Sequence, residues 1–103
     1  MRRGWPAAVI ASAALLAGCA GGGLTRTEQD GLDYATAKYD RYVEALGRPR
    51  FPLMLRWYVQ ASCRAANQEY PVQHRNAFAA AFARRVHGTA QVRGFCLRGF
   101  GLA

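Results

Sequence analysis

Acid is scarce in this chain of 103 residues, lysine is almost missing, and no apolar run is long enough to cross a bilayer. Six acidic residues face 14 basic ones, for a formal charge of +8, and Lys38 is the sole lysine. The longest apolar stretch, from Ala7 to Ala17, falls short of the roughly 20 residues that a spanning helix needs. Groups that do chemistry are equally thin. His74 and His87 are the only histidines, neither sits in a nucleophile motif, and Ser62 has no signature around it. The acids at 28, 30, 33, 40, 44 and 69 are spaced for helix capping and ion pairing, not for an acid/base dyad. Cys63, His74, His87 and Cys96 are zinc-ligand types, but their spacings of eleven, thirteen and nine match no closed zinc module. Haem and iron–sulfur motifs, internal repeats and low-complexity tracts are all missing. These absences weigh against an enzyme, a metal centre, a cofactor or a small-molecule substrate.

What is present begins at the N-terminus. Arg2 and Arg3 precede the Ala7–Ala17 run, and small residues close it at Leu16-Ala17-Gly18-Cys19, the three-part build of an export signal. In this order the segment resembles bacterial lipoprotein precursors, whose pattern is Leu, a small residue, Gly or Ala, and then Cys. The resemblance implies a signal peptide over 1–18 that is cleaved, a diacylglyceryl thioether on Cys19, and a further acyl chain, typically palmitate, on the new amino group. One acyl chain anchors marginally, whereas two or three anchor stably at about 0.8 kcal/mol per buried CH₂. Ala20 is not acidic, which by the same resemblance sends a Gram-negative lipoprotein to the outer membrane, on its periplasmic face.

With Cys19 assigned to lipid, Cys63 and Cys96 remain as an even pair in an export-directed chain and are expected to be joined. Closing a loop of about 34 residues removes roughly 3.5 to 4 kcal/mol of unfolded-chain entropy. For so short a chain that is a large part of the stability. Arg2 and Arg3 leave with the signal, so 12 bases remain against 6 acids and the mature charge is +6. Such a surface suits acidic proteins, anionic head groups or envelope polymers, or is a solvated face without a partner. Export and the scatter of the arginines argue against nucleic acid.

Residues 19–24 form a glycine-rich tether, and 25–103 the domain. Thr25-Arg26-Thr27-Glu28 has the form of a capping box, so a helix is expected to start there and run to Gly47. Leu32, Ala35, Tyr39, Tyr42 or Val43, and Leu46 make its apolar stripe. Pro52 opens a second helix whose polar positions, Arg56, Gln60 and Arg64, recur every four residues, predicting a central, largely buried element. A turn follows at 67–70. Pro71 is then expected to open a third helix that ends at Gly88, with Phe78, Phe82 and Val86 inward. Gly94, Gly99 and Gly101 predict an extended arm beyond residue 89, pinned by Cys96.

The expected fold is therefore all-α, three helices with a disulfide-anchored C-terminal arm. The expected role is a non-enzymatic, lipid-anchored interaction or assembly component of a cell-envelope complex of secretion or conjugation type. An inhibitor, immunity or exclusion lipoprotein that binds one protein is the alternative, and an arginine-based lipid or polymer binder a third. Tyr34, Arg56, Arg64, Arg84, Arg85 and Phe100 are the candidate contact residues, since Arg and aromatic side chains dominate interface hot spots. Tyr34 and Phe100 are the aromatics expected to be exposed.

Overall fold

A computed structural model describes residues 23–101; the expected signal peptide over 1–18, the Leu16–Cys19 motif and most of the expected tether over 19–24 lie outside the described residues. Four helices follow in order: α1 (Arg26–Leu46), α2 (Pro52–Glu69), α3 (Arg75–Arg85) and α4 (Ala90–Gly99). No strand occurs among the described residues. The fold is all-α, as expected, but the C-terminal arm is a helix. α2 packs on α1 and α4, and α3 closes the ring by packing on α4 and α1.

Local chemistry explains the starts and stops. The Thr25 hydroxyl accepts the Glu28 amide at 3.1 Å and the Glu28 carboxylate accepts the Thr25 amide at 2.9 Å, completing the capping box of α1. Gly47 ends that helix at φ +90°, donating to the Val43 carbonyl at 2.8 Å. Pro52 is the first residue of α2, where its missing N–H is no loss. The second helix then runs to Glu69, through the expected turn, because the Asn67 side chain accepts the Val72 amide at 2.9 Å and organises the loop beyond it. α3 starts only at Arg75, four residues after Pro71. It stops in a Schellman motif: Gly88 donates to Ala83 at 2.7 Å and His87 to Arg84 at 3.3 Å. The left-handed position falls on His87, φ +54°, one residue before the glycine. Gly88 instead makes room: a Cβ there would sit 2.5 Å from Val92 Cγ2.

α4 forms despite two glycines, each of which costs about 1 kcal/mol in a helix interior. Thr89 caps it, accepting the Gln91 amide at 3.2 Å, and Val92, Cys96 and Gly99 line its buried face. Gly99 lets the two backbones touch, since a Cβ would lie 2.7 Å from the Gln60 carbonyl. The Cys63–Cys96 disulfide joins α2 to α4 at a sequence separation of 33, with both residues fully buried. Phe78, Phe82, Val59, Leu32, Ala35 and Ala66 fill the core between the helices. Leu24, assigned by its sequence to the tether, packs against that core.

Candidate functional site

Two features stand out from this frame, one buried and one exposed. The buried one is Glu28, whose side chain is 1% exposed. Beyond the cap on Thr25, its Oε2 accepts the amides of Gln73 at 2.7 Å and His74 at 2.8 Å, and its Oε1 lies 2.9 Å from His74 Nδ1. Burial alone would push this carboxyl up. The bonds from the His74 amide, Thr25 amide, His74 ring and Gln73 amide outweigh it and hold the pKa down to about 2. Glu28 borders a surface cleft with Thr25, Thr27, Pro71 and Gln73, but both of its carboxylate oxygens are engaged, so it fastens the 71–74 loop to α1. Ser62, also buried, donates to the Tyr58 carbonyl at 2.8 Å within its own helix. Cys63 and Cys96 are consumed by their bond, and no cluster of metal-ligating side chains occurs among the described residues.

The exposed feature is an apolar patch at the junction of α1 and α2. Leu46, Phe51, Leu53 and Trp57 are 57%, 55%, 62% and 52% exposed. Trp57 lies against Tyr42, ring centroids 5.0 Å apart, and Tyr42 stacks on Tyr58 at 5.5 Å. Leu46 is one turn beyond Tyr42 on α1, and Leu53 one turn before Trp57 on α2, so the side chains share one face. The Tyr58 hydroxyl donates to the Gly47 carbonyl at 2.8 Å, pinning the linker that carries Arg48, Arg50 and Phe51. A shallow cleft of about 260 Å³ adjoins it, walled by Pro52, Leu53, Arg56 and Phe95.

The patch revises the reading of α2. Its polar positions Arg56 and Arg64 do face solvent, but Leu53 and Trp57 are exposed beside them, so the helix is buried on one face only. Of the expected contact residues, Arg56 borders the patch. Arg64 is exposed one turn past Gln60, and Arg84 and Arg85 lie on α3, where Arg85 pairs with Asp33 at 2.7 Å. Tyr34 is half-buried against Tyr70, centroids 5.6 Å apart. Phe100 is a correction: it is 8% exposed, because α4 turns it onto Phe78, centroids 5.5 Å apart, with the Arg75 guanidinium 5.8 Å above its ring. These six residues therefore do not form one surface.

Leu46, Phe51, Leu53 and Trp57 were missing from the sequence-based set because hydrophobicity at helical spacing normally signals core. The usable signal was charge: from 45 to 68 the chain carries Arg48, Arg50, Arg56 and Arg64 and no acid at all. No helix of the described residues is long and apolar enough to cross a membrane. Comparison with protein families, curated proteins and solved structures finds no match to this chain.

Proposed function

We propose that the protein is a lipid-anchored, non-enzymatic component of a cell-envelope assembly of secretion or conjugation type, held to its membrane through Cys19 and binding a protein partner there. The exposed Leu46, Phe51, Leu53 and Trp57 patch carries the reading. At roughly 200 Å² per large side chain, half exposure of four leaves on the order of 400 Å² of apolar surface at this junction, a size that on monomers commonly marks a binding site. Order around the patch supports it. Tyr58 fixes the linker and the disulfide fixes α2 on α4, so the patch is rigid before a partner arrives and little entropy is lost on binding. The Leu16-Ala17-Gly18-Cys19 motif supports the anchor, and Arg-rich, lysine-poor composition suits carboxylate recognition.

Mass spectrometry of the mature protein, followed by crosslinked pull-down from membranes, tests this reading. The expected mature chain begins at an acylated Cys19 and is recovered in a large membrane complex. An unmodified Cys19 with residues 1–18 retained, or recovery only as a free monomer, overturns it.

A further inference from the structure

We infer that the α1–α2 patch is the docking site for an acidic, amphipathic segment of the partner protein, one that seats an apolar side chain in the Leu53–Phe95 cleft and meets Arg50 and Arg56 with carboxylates. The inference deepens the envelope-component reading and rests on it for the existence of a protein partner.

The charge around the patch has one sign. Arg50 follows Pro49 in the linker and Arg56 walls the cleft, and neither has an ion-pair partner within 4 Å among the described residues; Arg48 belongs to another cleft, which it lines with Asp40. The nearest acids on α1, Asp40 and Glu44, each lie two residues from Tyr42, about 200° around the helix, so they face away from it. The first turn of α2 carries no acid and its N-cap, Phe51, offers no side-chain acceptor. The positive end of that helix dipole is therefore uncompensated where the patch begins.

Size and sign choose among occupants. A patch on the order of 400 Å² is half the roughly 800 Å² per partner of a standard interface, which fits one segment laid across it better than a folded domain or a stable self-dimer. A second copy is disfavoured further, since a two-fold contact on this face brings Arg50 and Arg56 against their own like charges. An anionic membrane would satisfy the charge as well, but the shallow cleft beside Leu53 offers an apolar side chain of a protein segment a place to enter. α1 also separates the patch from the tether. The patch sits at the C-terminal end of this 21-residue helix and the tether enters at Thr25, about 30 Å away at 1.5 Å per residue. Opposite-sign charge then steers the encounter, and the desolvated apolar contact holds it.

The test uses the full-length chain in its own membranes, with photoreactive p-benzoyl-phenylalanine placed at position 53 and, separately, at position 84 on α3. Light is expected to give a protein adduct from 53 and none from 84, and peptide mapping should place it in a segment with more Asp and Glu than Lys and Arg. Arg50→Glu with Arg56→Glu should lower the adduct yield at least tenfold, and Arg50→Gln with Arg56→Gln by several-fold. Arg84→Glu should leave it unchanged. Both arginines are exposed and make no ion pair, so the melting curve should not move. Adducts with phospholipid, with a second copy, from 84 but not 53, or with a neutral or basic segment overturn the inference. So does a yield indifferent to the charge reversals, or no adduct at 53. If the chain still sediments in a crosslinked membrane complex when position 53 gives nothing, the docking site is wrong and the envelope reading stands. A free, unacylated monomer sinks the envelope reading itself.

Discussion

Glu28→Gln is the sharpest probe of what holds this fold together. The substitution keeps the shape and one acceptor, but it turns an NH₂ toward a site built from donors: the amides of Thr25, Gln73 and His74. In the native protein burial alone would raise the carboxyl above its ordinary 4.5, and those amides together with the His74 ring hold it down to about 2. A gap of about two and a half pH units corresponds to about 3 kcal/mol of stability. Because the folded value lies below the unfolded one, that contribution is complete above pH ~4.5 and is lost as pH falls toward ~2. The native chain should therefore exceed Glu28→Gln by about 3 kcal/mol at neutral pH. The difference should shrink below pH ~4.5 and nearly vanish near pH ~2, where a protonated Glu28 presents one acceptor and one donor much as glutamine does. Urea unfolding followed by far-UV circular dichroism at a series of pH values reads the difference directly, and the other carboxylates cancel in the comparison. A difference that is constant with pH, or absent at neutral pH, would refute the assignment of this carboxylate as the staple between α1 and the 71–74 loop.

Three further outcomes are expected. Cys63→Ala with Cys96→Ala opens a loop of 33-residue separation and should cost about 4 kcal/mol; urea unfolding measures it, and the buried bond should resist thiol reductants until the chain unfolds. Gly99→Ala places a Cβ 2.7 Å from the Gln60 carbonyl and 3.1 Å from the Arg64 amide, both backbone that cannot swing aside. Forcing α4 from α2 should cost about 1 to 3 kcal/mol and lower the melting temperature by several degrees. His87→Gly removes the left-handed penalty at φ +54°, partly offset by the greater freedom of glycine in the unfolded chain, and should stabilise by up to about 1 kcal/mol, read as a higher urea midpoint with unchanged slope; a lower midpoint would refute strain at His87 as the larger of the two effects.

Both ends of the first helix and the start of the second were legible in the residues themselves, whereas the second helix runs on through the turn expected at 67–70. Thr25 with Glu28, Gly47 after Leu46, and Pro52 after Phe51 each act through bonds or steric limits that reach no more than four residues. The pairing of Cys63 with Cys96 followed from counting once Cys19 was set apart. The inner face of α3 was equally plain, because Phe78 and Phe82 repeat at helical spacing and both are fully buried. Glycine propensity alone predicts an extended C-terminal arm, whereas 90–99 is a helix. What makes 90–99 a helix is a partner surface: Gly99 against the Gln60 carbonyl, Cys96 on Cys63, and Val92 in the core. The glycines that lower helix propensity are the same ones that allow the close approach.

The candidate surface shows the same division. Residue types and their order along the chain already held the helical class, the disulfide and the acid-free stretch from 45 to 68. Which apolar residues of that stretch stay in water was settled when α2 turned Tyr58, Val59, Cys63 and Ala66 inward and left Leu53 and Trp57 outside. Hydrophobic side chains outnumber the places that four short helices can cover, so helix rotation selects the ones left over. Glu28 makes the point in one residue. Its capping box is a matter of three positions, but its second set of bonds reaches a loop 45 residues away, which only a closed fold brings within 2.7 Å.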